Sequence, residues 1–544
     1  MDKLQSKGPD EVNSVTPKKS ANNWKLCIPD RSHPRDLIAT PSTVISEETL
    51  SQEGFKEVPI TEASTKTNDW KINIFMAADN NLSEESIWAI QEIKNTSPKV
   101  ILETNIHLMT RSRVIFIEDG SGQNQTGRGE NPKPIEDYDN NKRTLIENFI
   151  IENGPFQENK SVLILSGHGN GALGDFLSGD KTNTNNPLGI KETGTALKNG
   201  LSNSKFDILG LDSCLMGMIE VCYELREHAK YIVAHQGYER NTGWPYFDII
   251  TSIDKNCTKN SPREIAVKIV EQYINYYSSY KTAGVSVDIA TCDLSKFNEH
   301  SGLVKAIKKL VKSLISGLDN QEEKIAKDIL DATILAHWKA QSYNNEQYVD
   351  LWDFCYLLCK QLEGAATYQE IYESANDVMK NINGTYFSGN KLMKDGGGAV
   401  LISCYSGPAF QHSHGLSIYF PWERSAVDNE LKQYNNLEFA KTTRWGDFLK
   451  KYLIRSQREA RQIDTHGPSY KEGAQGRHQL IRIPLTDFSE TEVRSNPKLN
   501  TRSNPELNTK GGINIGIWVK NHCDTYYEYD SECDISKLNT PGGT

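Results

Sequence analysis

The chain is expected to be an α/β protein in which a mostly parallel sheet is flanked by helices, followed by a helix-rich C-terminal part, with polar tails at both ends. Short apolar runs of strand length at 162–165, 207–211 and 231–234 alternate with stretches of helical periodicity, and such a succession folds as parallel strands with helices on both faces. Between His168 and Cys214 lie 45 residues, enough for the crossover helix that parallel neighbours require. The chain has 544 residues, 37% of them hydrophobic, so it can bury a large core.

Residues 1–68 are rich in Ser, Thr, Pro, Lys and Glu and read as a disordered polar tail. Order begins at Trp70–Ala77, whose alternation suits a strand; Asp79-Asn80-Asn81 then gives a turn and cap, and Ser83 opens a helix through Ile87, Ile90 and Ile93. Val114–Ile117 is the second strand candidate. Gly120–Asn141 reads as a surface loop and Thr144–Ile151 as a helix leading to the strand that ends at His168. Leu197 and Leu201 mark the crossover helix. The surplus of the crossover, Ser178–Pro187, has nothing apolar to hold it down. After Cys214, apolar residues at 215, 218, 219, 222 and 225 mark a helix face starting where the strand stops.

Tyr231–Ala234 is a further short strand, and helical patterns dominate from Pro262 to Lys380, interrupted by a strand at Val285–Ile289. Strands return at Ala399–Ser403 and Leu416–Phe420. Past about 455 the chain is polar again. It carries a near-duplicate octapeptide, Arg494–Thr501 and Arg502–Thr509, which reads as linker because two copies are too few for a solenoid. Gly512–Val519 has the composition of one last strand.

The net charge of −10 argues against nucleic acid as a partner, since phosphate binding needs a basic face. No run of about 18 apolar residues exists, so no membrane span is expected. Residues 1–24 lack an apolar secretory core. The ten cysteines lack disulfide-framework spacing and read as small buried thiols. Together these features set the expectation of a reducing, cytoplasmic location. Cys355 and Cys359, four apart on an apolar helix, read as core rather than as metal ligands.

In open α/β sheets, ligands bind beyond the carboxyl ends of the parallel strands. His168 and Cys214 each end an apolar run and are expected to face one crevice. A cysteine attacks a carbonyl as thiolate, with an acid nearby to protonate the leaving amine. A helix starting at Cys214 would favour the anion. Gly169 lets substrate approach, and its amide, with that of Cys214, is placed to donate to an oxyanion. Either residue alone has a structural reading; paired at two strand ends, they favour a cysteine hydrolase. Asp212, on the same side of its strand as Cys214, reads as the floor of a pocket for a cationic side chain or as a helix N-cap. His235 reads as a supporting or core residue, and His412 and His414 as surface residues. Trp244-Pro245-Tyr246 reads as a groove wall or a core aromatic cluster.

Ser-Gly-His-Gly-Asn-Gly at 166–171 and Leu-Asp-Ser-Cys-Leu-Met-Gly-Met at 211–218 resemble the clostripain family of cysteine peptidases. Met76-Ala77-Ala78-Asp79-Asn80-Asn81-Leu82, Gly243-Trp244-Pro245-Tyr246, Tyr348-Val349-Asp350-Leu351 and the stretch Gly415–Pro421 match in the same order. The resemblance spans roughly 70–450. It implies a caspase-like fold, a dyad of His168 and Cys214, Asp212 as the acid that binds the P1 side chain, and cleavage after Arg or Lys. It also implies frequent calcium dependence and self-cleavage between the His and Cys segments. No EF-hand loop is present, so a calcium site would have to be assembled from scattered oxygens; the chemistry itself requires no cofactor.

The expected layout is a tail at 1–68, a catalytic core at 69–300, a helix-rich part at 301–455 completing the peptidase fold, and a polar linker and tail at 456–544. The expected substrates are proteins or peptides with basic P1 residues. Lys181, in the crossover loop, matches that preference and is the expected self-cleavage site, the alternative being a passive surface loop. Two other functions fit the same residues: a catalytically silent caspase-like scaffold or binding protein, and a thiol hydrolase acting on non-peptide amides.

Overall fold

The computed structural model describes residues 70–466 apart from 97–102, 111–112, 118–132, 135–140, 156–159, 180–187, 203, 257–259, 280–284, 344–346, 390 and 423–429. Both tails, the octapeptide repeat and Gly512–Val519 lie outside these residues. Strands β1 (Trp70–Ala78), β2 (Glu103–Thr110), β3 (Arg113–Ile117), β4 (Lys133–Pro134) and β5 (Lys160–Gly167) belong to one nine-stranded sheet. So do β6 (Phe206–Asp212), β7 (Ala229–Ala234) and β8 (Val287–Asp293). Four short strands follow outside it: β9 (Ser342–Tyr343), β10 (Tyr348–Asp350), β11 (Thr385–Ser388) and β12 (Lys391–Lys394). The ninth member is β13 (Val400–Ser406), and β14 (Ser417–Tyr419) is the last strand among the described residues. The order across the sheet is β13-β8-β7-β6-β5-β1-β2-β3-β4. The centre, β7 to β2, is parallel, while β8 and β13 on one side and β3 and β4 on the other run antiparallel.

The period-two alternation of the central strands divides their side chains between two cores. Ile72, Ile74, Met76, Val162, Ile164 and Ile208 face one core with helices α1 (Ser83–Thr96), whose first turn carries Glu84 and Glu85, and further along the chain Tyr246–Asn256 and Pro262–Ser278. Phe75, Ala77, Leu163, Leu165, Leu209 and Leu211 face the other, with α2 (Lys142–Asn153), α3 (Ile190–Leu201) and α4 (Ile219–Leu225). Helix Tyr246–Asn256 is α5 and Pro262–Ser278 is α6. The latter starts in a capping box in which Ser261 and Glu264 satisfy each other's amides, with Pro262 as its first helical residue.

The second core is continuous with α7 (Gly302–Leu318), α8 (Glu323–Lys339), α9 (Leu351–Leu362) and α10 (Gln369–Asn383). It also takes in α11 (Glu430–Tyr434), α12 (Glu438–Thr443) and α13 (Trp445–His466). The helix-rich part and the sheet thus share one interior. β14 pairs antiparallel with β10, and Ser417 bridges to Met218, which ties the end of the fold to the turn after Cys214.

The fold class is the expected one, and several elements differ from expectation. β2 was not expected: its Thr104, Asn105 and His107 are polar yet buried. Asn105 donates to Asn73 at 3.0 Å, and His107 lies 4.6 Å from the Phe75 ring, with burial lowering its pKa to about 3. Polar pairing inside the sheet conceals the alternation. Lys133 and Pro134, within the expected loop, form β4. The strand expected at 285–289 lies at 287–293, and β9 and β10 interrupt the expected helical stretch. The hairpin β11–β12 was not foreseen, and α13 runs past 455, where the sequence turns polar. Among the described residues no helix is long and apolar enough to cross a membrane.

Candidate active site

β5 and β6 are parallel neighbours with Ser166 opposite Asp212, so the residues that follow them leave the same end of the sheet. His168, Cys214 and Asp212 line one cleft of about 440 Å³ including its open mouth, with Glu85, Glu239 and Arg240 in its walls. Cys214 and His168 are half-buried. The Glu239 amide donates to Cys214 Sγ at 3.2 Å, and Sγ also lies 3.7 Å from the Glu239 carbonyl oxygen.

The expectation that a helix starts at Cys214 is corrected by the structure. α4 begins only at Ile219, because Leu215 turns the chain into the left-handed region at φ 63° and Met218 is extended. A non-glycine residue there costs about 1–3 kcal/mol. Leu215 is fully buried and donates to Gly237 O at 2.9 Å, and Gly217 donates to His235 O at 2.6 Å, so packing and hydrogen bonds hold the turn. The turn, and not a helix dipole, presents the thiol. Gly169 is required sterically: a Cβ there would lie 2.3 Å from the Cys214 carbonyl oxygen and 3.0 Å from Ser213 Cβ.

Asp212 does not cap α4, whose N-cap is Met218. Its carboxyl is 4% exposed and accepts from the Trp244 amide at 3.1 Å and the Tyr246 hydroxyl at 2.7 Å. Burial, then the charge of Glu239 and a hydrogen bond with it, push its pKa well above the carboxylate range. Burial does the same to Glu239. Two carboxyls this close and this dry retain a proton between them. Glu239 Oε1 also lies 3.0 Å from His235 Nε2. His235 is buried, takes the Trp244 indole hydrogen at 2.8 Å and contacts Asp288 O through Nδ1, so it supports the floor of the cleft from behind. Trp244 and Tyr246 are buried, and Tyr246 reaches the cleft wall as well.

His168 Nε2 lies 2.6 Å from Asn81 Oδ1. Asn81 belongs to the turn between β1 and α1, which the register of Ala77 with Gly167 sets beside the end of β5. His412 is exposed. His414 is not a simple surface residue: it stacks on Trp352 at 4.0 Å and pairs with the fully buried Asp350 at 3.2 Å, which raises its pKa against the opposing effect of burial. Cys355 and Cys359 are buried on α9.

Among the described residues there is no group of three or more His, Cys, Asp or Glu side chains that could hold a metal ion. Lys181 lies outside the described residues. The backbone on either side of its segment is tied together, Phe176 donating to Leu188 O at 2.8 Å and Leu188 to Asp175 Oδ1 at 2.9 Å.

Glu239 and Asn81 were not singled out as site residues from the sequence. Glu239 sits beside Arg240 in a polar run between β7 and Gly243-Trp244-Pro245-Tyr246, and that charged pair next to the motif is the available signal. Asn81 was read as part of a turn and cap, and only the pairing of β1 with β5 reveals its neighbour.

A family model described as the clostripain family matches residues 74–452. Among solved structures, a secreted C11 cysteine protease from Bacteroides thetaiotaomicron bound to an irreversible peptide inhibitor is 18% identical, with 70% of this chain and 99% of that chain covered and a TM-score of 0.46. An inactive zymogen C11 protease from Parabacteroides distasonis is 19% identical, with the same coverage of 70% and 99% and a TM-score of 0.45. Among curated proteins there is no match.

Proposed function

Because the chain belongs to the clostripain family of cysteine peptidases, we propose that it is an endopeptidase cleaving after Arg or Lys, with Cys214 as nucleophile and His168 as general acid and base. The observation that carries this reading is the shared cleft, in which His168 and Cys214 stand over the two buried carboxyls of Asp212 and Glu239. The thiol gives its proton to His168 as the S–C bond forms at the scissile carbonyl, and the displaced electron pair moves to the oxygen, toward the amides of Gly169 and Cys214. Collapse breaks the C–N bond, and the imidazolium gives its proton to the departing amine. Water, deprotonated by His168, then cleaves the thioester and restores the thiol.

A P1 guanidinium or ammonium entering the cleft takes the place of the proton held by Asp212 and Glu239. Arg is favoured because its planar fork matches a carboxylate. The substrates on this reading are proteins or peptides with basic P1 residues. Lys181 carries the same recognition element, so self-cleavage after it belongs to the proposal.

Hydrolysis of fluorogenic peptides ending in Arg, Lys, Asp or Leu, with and without calcium, tests the reading. Arg and Lys substrates should be cleaved and Cys214→Ala should be silent, with a loss of several orders of magnitude. Turnover surviving Cys214→Ala would remove the dyad. Cleavage of Leu as fast as Arg would remove the P1 assignment, and no cleavage of any peptide would leave the scaffold reading.

A further inference from the structure

The Asp79-Asn80-Asn81 turn does more than join β1 to α1. Asp79 is held by a buried ion pair with Lys142 at 2.9 Å. The Asn80 side chain accepts the Leu82 amide at 2.8 Å and donates to Ala77 O at 3.2 Å and Ser178 O at 2.7 Å. Ser83 Oγ bonds Ala78 O and Asn80 O. The backbone of residue 81 is therefore clamped on both sides, with its side-chain oxygen 2.6 Å from His168 Nε2.

We infer that Asn81 is a positioning residue for His168, acting in the proposed peptidase reaction by fixing the tautomer and tilt of the imidazole. A neutral histidine that donates Nε2–H to a carbonyl oxygen carries its basic lone pair on Nδ1. That nitrogen takes the thiol proton and later hands it to the leaving amine. When the ring is charged, Asn81 offers a dipole and no negative charge, so the imidazolium is held in place yet remains a strong enough acid to release its proton. An aspartate at 81 would hold the ring equally well and bind the proton more tightly.

This inference rests on the proposed function, so its test reads both turnover and the ring itself. Wild type, Asn81→Ala and Asn81→Asp are compared in kcat and KM against an Arg substrate across pH, and in the titration of His168 by NMR of histidine-labelled protein. Asn81→Ala should lower kcat by at least about tenfold, within the roughly 10²–10⁴-fold that general acid–base catalysis contributes, with KM within about twofold. Asn81→Asp should restore much of kcat and move the acidic limb of the profile, and the His168 titration, to higher pH. Unchanged kcat in Asn81→Ala overturns the inference. So does an Asn81→Asp enzyme whose pH limb and His168 titration stay in place. If wild type cleaves no peptide, the peptidase reading fails; the titration then still reports whether residue 81 governs the ring.

Discussion

On the proposed function, an arginine side chain entering the cleft would bring its charge beside Asp212 and Glu239, whose pKa values burial holds well above the usual range. A cation favours the ionised form, so binding should expel the retained proton, and affinity for a basic P1 residue should rise with pH. KM for an Arg substrate is expected to fall as pH rises while KM for a weak Leu substrate stays level, and Asp212→Asn should flatten the first curve. Level KM values for both in wild type would take the carboxyl pair out of the P1 pocket. Asp212→Ala removes one partner of a buried charge and should cost kcat/KM for Arg roughly 10²–10³-fold. Gly169→Ala puts a methyl group 2.3 Å from the Cys214 carbonyl oxygen, so the Cys214 backbone must move. It should lose at least about 10²-fold in kcat while Cys214 still reacts with iodoacetamide. At this scale the expectation that His168, Asp212 and Cys214 share one cleft could be formed because each stands at the end of an apolar run. The sequence was unreadable where a residue's partner is fixed by strand register, as for Asn81, or by a turn returning from another strand, as for Glu239.

Among the elements, legibility followed alternation. β1, β5 and β6 alternate cleanly between two apolar cores and were found near their true bounds. β2 hides because Asn105 bonds Asn73 and His107 packs against the Phe75 ring, so polar residues stand where the alternation would show apolar ones. The start of α4 was displaced because a left-handed Leu215 imitates helical periodicity without being helical. α4 carries Glu220, fully buried, accepting from the Tyr419 amide at 2.9 Å and the Tyr434 hydroxyl at 2.8 Å, so one carboxyl joins α4, β14 and α11. Burial raises its pKa from 4.5 to about 7. The folded state thus binds this proton more tightly than the unfolded state. Its stabilising contribution is whole below about 4.5 and is lost as pH rises through about 7. Glu220→Gln should remove a decline on the order of 3 kcal/mol between those limits. Denaturant titrations of both proteins across pH measure the difference, and parallel curves would contradict it.

For the whole molecule, the crossover loop lies between the strands that carry His168 and Cys214, and those strands are hydrogen-bonded neighbours. A cut after Lys181 should therefore leave two fragments that co-elute at the size of the intact chain and separate only in denaturant, since the sheet and the shared core span the break. Fragments starting at Thr182 should form in wild type and not in Cys214→Ala; an intact and fully active wild type would dismiss the cut.

The bond from the Ser417 amide to Gly217 O at 2.9 Å has a consequence for synthesis. The turn that presents Cys214 is braced by a residue 200 positions later in the chain. At about 5–20 residues per second, a ribosome needs roughly 10–40 s to cover that interval. During it, the nascent polypeptide holds Cys214 without the brace. The protease is thus expected to emerge inert and to gain its reactivity only after β14 has left the exit tunnel. Stalled nascent chains exposing residues up to 400 should resist an arginyl chloromethyl ketone that labels chains exposing residues up to 470. Equal labelling of both would show that the turn forms on its own.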